Sequence, residues 1–179
     1  MSKTDLNKIE LNKKPILKNN VFVASGAKII GNIYLDDESS IWYNTVLRGD
    51  INSIKIGKRS NIQDNCVLHV ENDRGVIIGN DVTVGHNAII HGCTIEDGAL
   101  IGMGGIIMNG CTIGTGSIIG AGTLVKENSN IPPFSMVVGI PGKIVKNLNK
   151  DILKENISWA KKYTKLAMLH YKNADNITY

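Results

Sequence analysis

The chain has 179 residues, enough for one domain, and a formal net charge of +4. Its lysines concentrate toward the two ends, so the middle lacks the clustered cations and stacking aromatics of a nucleic-acid groove. No apolar run reaches the roughly 18 residues of a membrane span and the N-terminus shows no secretory signal, which predicts a cytoplasmic protein without a membrane partner.

From residue 17 to residue 137 the dominant pattern is an aliphatic residue at about every sixth position. Such hexapeptide repeats are typical of parallel β-helices, in which each repeat forms one short strand and one corner. Three repeats close a coil of about 18 residues whose aliphatic side chains point inward. Few aromatics (5%) and many glycines (19) fit an aliphatic core with many tight corners. We therefore predict an all-β fold, a left-handed parallel β-helix. The predicted inward residues, coil by coil, are Leu17, Val23 and Ile29; Leu35, Ile41 and Leu47; Ile56, Ile62 and Leu68; Ile78, Val84 and Ile90; Ile95, Ile101 and Ile107; Ile113, Ile119 and Val125; and, in a partial coil, Ile131 and Val137.

The repeat is interrupted at residues 49–53 and 71–75, and we predict that both insertions are loops projecting from a corner. Cys66, Cys93 and Cys111 each lie two residues before an inward aliphatic residue. Because their number is odd and no CxxC spacing occurs, we expect them in the core rather than in disulfides or a zinc ribbon. Glycines at 102–105 and 114–120 follow the six-residue repeat and do not indicate a nucleotide-binding loop.

The last part of the chain changes period. Apolar residues between positions 150 and 172 recur at helical spacing, which predicts a C-terminal helix packed along the β-helix. We divide the chain into a β-helix domain of residues 1–148, with an N-terminal arm of about residues 1–16, and a helical segment of residues 149–179. We expect His170, within that helix, to have no functional role.

The register of the repeat predicts where the other three histidines lie. Arg48, His69 and His91 each come directly after the third inward residue of a coil, so they should stack in one column. His86 comes two residues after a second inward residue, which places it at a different corner. A threefold homotrimer would bring His86 of one chain to His69 and His91 of the next. Three neutral imidazoles leave a fourth metal position open, as in catalytic sites.

Three segments, LRGD (47–50), IGKRSNIQDNCVLHV (56–70) and IGNDVTVGHNAIIHGCTI (78–95), resemble the γ-class carbonic anhydrases. The resemblance covers about residues 15–148 and the helix. It implies that His69, His86 and His91 bind a metal, two from one subunit and His86 from its neighbour. The expected metal is Zn²⁺, with Fe²⁺ or Co²⁺ as alternatives, and the expected substrates are CO₂ and bicarbonate.

The same resemblance implies roles for polar neighbours. Arg48 and Asp50 match a pair at the subunit interface. Gln63 and Asp64 match residues beside the metal-bound water, where Gln63 would hydrogen-bond hydroxide or bicarbonate and Asp64 would orient its partners or Arg48.

The chain departs from the best-studied archaeal members of the family in two places. Ile51 replaces a glutamate that follows the Asp50 position, and the short ENDRG loop replaces an acidic loop that carries a proton shuttle. Glu71, Asp73 and Tyr163 remain candidates for moving the proton. Because proton transfer commonly limits CO₂ hydration, low activity is one expectation.

The sequence leaves rival functions open. Residues 137–148, VVGIPGKIVKNL, also resemble the C-terminal end of hexapeptide acyltransferases that use acyl-CoA. A non-catalytic metal-binding relative of the carbonic anhydrases is a second alternative, and a metal-dependent thioesterase is a weaker one.

Overall fold

The computed structural model describes residues 9–173, which form a stack of short strands followed by one helix. The first half of the predicted arm, residues 1–8, and the end of the helical segment, residues 174–179, lie outside the described residues. The strands are β1 (Ile16–Leu17), β2 (Phe22–Val23), β3 (Lys28–Leu35), β4 (Ser40–Ile41), β5 (Val46–Ile56), β6 (Asn61–Ile62), β7 (Val67–His69), β8 (Val76–Ile78), β9 (Thr83–Val84), β10 (Ile89–His91), β11 (Thr94–Ile95), β12 (Leu100–Ile101), β13 (Ile106–Ile107), β14 (Thr112–Ile113), β15 (Ile118–Ile119), β16 (Leu124–Val125), β17 (Asn130–Ile131), β18 (Ser135–Val138) and β19 (Lys143–Asn147); the helix is α1 (Ile152–Lys172).

Apart from β19, which pairs antiparallel with β18 at the end of the stack, the strands stack in parallel into three faces, which we number in the order the chain visits them. The first face contains β1, β8, β11, β14 and β17, the second contains β2, β4, β6, β9, β12, β15 and β18, and the third contains β7, β10, β13 and β16. β3 and β5 each run along the third face, turn a corner and continue on the first. The predicted left-handed parallel β-helix with a C-terminal helix is confirmed.

The predicted register is also confirmed. On the second face, for example, Ile41 pairs with Ile62, which pairs with Val84. Every predicted inward residue from Leu35 to Val137 is buried. The first coil is the exception, because Leu17 is 46% exposed and Val23 is 37% exposed. Only one neighbouring coil of the described chain packs on these two side chains, so the prediction that they are buried was wrong.

The two interruptions of the repeat behave differently. Residues 71–75 form the predicted loop, closed by a hydrogen bond from the Glu71 amide to the Arg74 carbonyl. Residues 49–53 do not project as a loop, because they belong to the continuous strand β5. A register shift opposite Gly31 and Ile33 accommodates the extra residues, since Gly31 pairs with Gly49 but Ile33 pairs with Ile54.

The interior contains the three cysteines as predicted. Cys66, Cys93 and Cys111 are buried and none forms a disulfide. Burial raises the pKa of the Cys66 thiol to about 12, so it is protonated at neutral pH and acts as a small apolar side chain.

Helix α1 covers the second face, where it packs against β2, β4, β6 and β9. Ala160 and Ala167 are buried against the β-helix, and Asn156 donates a hydrogen bond to the Gly98 carbonyl. His170 Nδ1 lies 2.8 Å from the Tyr43 hydroxyl, among the rings of Phe22 and Trp42, so its contacts here are structural. Within residues 9–173, no helix is both long and apolar enough to cross a bilayer.

The first and third faces differ in the side chains they turn outward. The outward residues of the first face are mixed: Lys55, Thr94, Thr112 and Asn130 are polar, whereas Ile16, Tyr34 and Ile77 are apolar or aromatic. The outward residues of the third face are Lys28 in the first coil and then a row of five aliphatic residues, namely Val46, Val67, Ile89, Ile106 and Leu124. We call this row the apolar stripe; Val67 and Ile89 in it are each 42% exposed.

Candidate metal centre

The corner between the third and first faces contains the predicted column. Arg48 pairs with His69, and His69 pairs with His91, in direct register on successive coils. Because adjacent parallel strands are about 4.8 Å apart, the two rings face each other, and His69 Nδ1 lies 2.9 Å from His91 Nε2. The prediction that these three residues share one column is confirmed.

Asp50 connects Arg48 to His69. Its carboxylate accepts hydrogen bonds from Arg48 Nη1 at 2.5 Å and from His69 Nε2 at 3.1 Å. Burial alone would raise the pKa of Asp50, but the hydrogen bonds from Arg48 and His69 outweigh it and lower the pKa. A carboxylate that only accepts requires the proton of His69 on Nε2, which leaves a lone pair on Nδ1 directed at His91.

Burial also acts on His69 itself. It lowers the pKa of His69, and the opposing effect of Asp50 does not cancel it. The ring is therefore neutral at neutral pH, the form in which imidazole binds metals.

Asn109 and Glu71 complete this corner. The sequence alone did not link either of them to His91. Asn109 Oδ1 lies 2.5 Å from His91 Nδ1, and Asn109 Nδ2 donates to Glu71 Oε1 at 3.0 Å. The sequence predicts for Glu71 only a role as a candidate proton carrier. The register did contain a signal, because Asn109 follows the inward residue Ile107 by two positions and so lies at the same corner one coil later.

The corner between the second and third faces contains the second group. Asp64 and His86 each follow an inward residue of the second face by two positions, and they stack one coil apart. His86 Nδ1 lies 2.7 Å from Asp64 Oδ2. Asp64 therefore orients His86 rather than Arg48, and it leaves Nε2 of His86 free to bind another group.

Gln63 and Tyr163 lie beside this pair. Gln63 is 5% exposed and donates from Nε2 to Asn61 Oδ1 at 3.1 Å. Tyr163 of α1 shares a hydrogen bond with Gln63 and packs edge-on against Trp42. Burial, and then the charge of Asp64, raise the pKa of Tyr163, so its phenol stays protonated at neutral pH.

The structure separates the predicted ligands into two half-sites. The first half-site contains Arg48, Asp50, His69, His91 and Asn109, and the second contains Gln63, Asp64, His86 and Tyr163. Within residues 9–173 of one chain, no three His, Cys, Asp or Glu side chains converge in a metal-binding arrangement. The half-sites lie at opposite edges of the third face, since β10 begins after His86 and ends at His91.

Comparisons with known proteins agree with this architecture. The family described as bacterial transferase hexapeptide (six repeats) matches residues 92–127. A relative from Methanocaldococcus jannaschii, named a probable carbonic anhydrase, is 51% identical over 152 residues, covering 85% of this chain and 96% of the relative. The mitochondrial gamma carbonic anhydrase 2 of Arabidopsis thaliana is 42% identical over 164 residues; the match covers 88% of this chain and 59% of that longer protein.

A solved structure shows the same fold. A Bacillus cereus protein, described provisionally as an acetyltransferase, superposes with a TM-score of 0.86 at 42% identity, covering 89% of this chain and 92% of that one. The two descriptions, carbonic anhydrase and acetyltransferase, thus both occur among proteins of this architecture. The chain is 51% and 42% identical to these two relatives, and its match covers 96% of the Methanocaldococcus jannaschii protein. The chain therefore belongs to the γ-class carbonic anhydrase family of hexapeptide-repeat proteins.

Proposed function

We propose that the protein catalyses the metal-dependent, reversible hydration of CO₂ to bicarbonate at the subunit interfaces of a homotrimer. One observation carries the proposal. Three histidines each have one ring nitrogen bound to a carboxylate or amide, and they occupy the two edges of a single exposed apolar face.

The donor set fits a metal. Asp50 and Asp64 direct the unprotonated nitrogens of His69 and His86 away from themselves, as outer carboxylates do for metal-binding histidines. His69, His91 and a neighbour's His86 would hold the ion. Imidazole ligands suit Zn²⁺, Fe²⁺ and Co²⁺, and three of them leave one position open.

The apolar stripe supports the homotrimer. Three copies placed around a threefold axis with their third faces inward would bury the stripe of each copy. The same arrangement would bring the His86 edge of each copy to the His69 and His91 edge of the next, because these edges border the same face. Burial of the apolar stripe and completion of the three-histidine metal site thus favour the same trimeric arrangement.

When bound, a metal in such a set supplies a nucleophile at neutral pH by lowering the pKa of water. Gln63 would hydrogen-bond bicarbonate with an amide that Asn61 and Tyr163 hold in place. Tyr163, whose pKa is raised, positions Gln63 instead of carrying protons. Asp73 in the exposed loop and Glu71 beside Asn109 are the acidic groups nearest solvent at the other half-site, and we propose them as the route by which the proton leaves.

Metal removal tests this function. We expect anaerobically purified protein to contain about one metal ion per chain and to hydrate CO₂. Treatment with a chelator should abolish hydration, and Zn²⁺, Co²⁺ or Fe²⁺ should restore it. Full CO₂ hydration by the metal-free protein would contradict the proposal, and metal binding without turnover would identify a non-catalytic relative.

The acyltransferase alternative rests on the description of the Bacillus cereus structure and on the hexapeptide family match. It predicts release of free CoA from an acyl-CoA in the presence of an acceptor, without a requirement for metal. A thiol assay on the chelated protein separates the two functions.

We also infer a cytoplasmic location. The alternative is an organelle, since the Arabidopsis relative is named as mitochondrial. Fractionation of cells followed by immunodetection would decide between these compartments.

A further inference from the structure

We propose that Asn109 is a positioning residue for His91, and that Glu71 sets the orientation of the Asn109 amide. Together they would keep the proton of His91 on Nδ1, so that Nε2 presents a lone pair to the metal. This inference rests on the proposed metal site, but the protonated nitrogen can be measured in the metal-free protein.

The polarity of its contacts fixes the orientation of the Asn109 amide. A carboxylate only accepts, so the Asn109 amide turns its Nδ2 toward Glu71 Oε1, at 3.0 Å. The amide oxygen, which also only accepts, then faces His91 Nδ1 at 2.5 Å. Nδ1 must donate in this contact. A neutral imidazole has a single N–H, and Nε2 of His91 therefore carries a lone pair.

On its other side His91 faces His69. Asp50 places the proton of His69 on Nε2, so His69 Nδ1 also presents a lone pair. The two nitrogens lie 2.9 Å apart. With a lone pair on each of them, a shared cation would stabilise the arrangement. If His91 carried its proton on Nε2 instead, it would donate to His69 Nδ1 at an ordinary hydrogen-bond distance. The two rings would then be hydrogen-bonded to each other, and neither of the facing nitrogens would be available to bind a metal.

A merely structural role for Asn109 would be to anchor the loop at 71–75. That loop has other anchors, because Asn52 Nδ2 donates to the Glu71 carbonyl and Arg74 Nη1 donates to Asn128 Oδ1 at 2.7 Å. Arg74→Ala therefore loosens the loop without touching His91, and it provides a matched control for Asn109→Ala.

The experiment records long-range ¹⁵N–¹H correlations of the histidine rings in metal-free protein at about pH 8, above the ordinary pKa of histidine. The chain has four histidines, and the ring signal that disappears in His91→Ala is the signal of His91. In wild type and in Arg74→Ala we expect His91 protonated on Nδ1. In Asn109→Ala we expect the proton on Nε2. The double variant Asn109→Asp with Glu71→Gln keeps an acceptor against His91 and a donor from residue 71, and it should restore the Nδ1 proton.

Metal affinity gives the second measurement. Competition with a chromophoric chelator should show that Asn109→Ala weakens Zn²⁺ binding by about 10–100-fold, the usual effect of losing an outer partner, and that the double variant recovers it. A wild-type His91 protonated on Nε2, or an Asn109→Ala variant with unchanged proton position and affinity, would overturn the inference. If wild type showed the Nδ1 proton but bound no metal, the positioning would stand and the proposed function would fail.

Discussion

Replacing His86 with alanine is expected to abolish metal binding and to lower kcat/KM for CO₂ hydration by at least about 10³-fold. His86 would supply one of the three histidine ligands, and the two remaining histidines are too few to form such a metal site. The side chain lies at a half-exposed corner and its polar contact is to Asp64, so its removal leaves the buried core unchanged. Metal analysis, CO₂ hydration kinetics and circular dichroism on one preparation measure these three properties.

His170→Ala is the matched control. His170 packs between α1 and the β-helix through Tyr43, Phe22 and Trp42, and it is not one of the proposed metal ligands. Its loss should lower the free energy of unfolding by about 1 kcal/mol while metal content stays at the wild-type level. A His86→Ala protein with full metal content would show that the site does not use His86.

Introducing a charge into the apolar stripe is expected to dissociate the trimer. Ile89 lies between Val67 and Ile106 on the third face and is 42% exposed in the isolated chain. Ile89→Asp would bury an unpaired carboxylate at each interface, which costs several kcal/mol. Sedimentation analysis should give the 19.4 kDa mass of a single chain, with the β-rich circular dichroism spectrum retained and metal content lost.

Ile77→Asp supplies the comparison. Ile77 is 50% exposed on the first face, where it pairs with Lys55 and Thr94. We expect this variant to remain trimeric and to keep its metal. Dissociation by Ile77→Asp but not by Ile89→Asp would place the interface on the first face and contradict the proposed assembly.

Much of the fold could be predicted from the six-residue step alone. Each inward aliphatic residue sets the register of its coil, so the stacking of Arg48, His69 and His91 followed from counting. The pairing of Asp64 with His86 lies in the same register, whereas the resemblance implied that Asp64 orients its partners or Arg48. Asn109 also lies at a register position, but a neutral amide is not by itself a sign of a metal site.

Other features could not be predicted from the register. The extra residues at 49–53 looked like a loop, but a strand can absorb an insertion by shifting register while its hydrogen bonds continue. Leu17 and Val23 fit the pattern of inward residues, yet burial also requires a coil on both sides. The face that α1 covers depends on side-chain packing, which Trp42, Tyr43 and His170 decide through contacts remote in sequence.

The central claim is that each metal site is shared between two subunits, and subunit mixing tests it most directly. His86→Ala retains the His69 and His91 half-site, whereas His69→Ala retains the His86 half-site, so neither variant alone should bind metal or hydrate CO₂. When the two are coexpressed in equal amounts, random assembly gives about one interface in four with both intact half-sites. We therefore predict about one quarter of wild-type metal content and activity in the mixed trimers. A mixture as inactive as either variant alone would contradict a site formed between subunits.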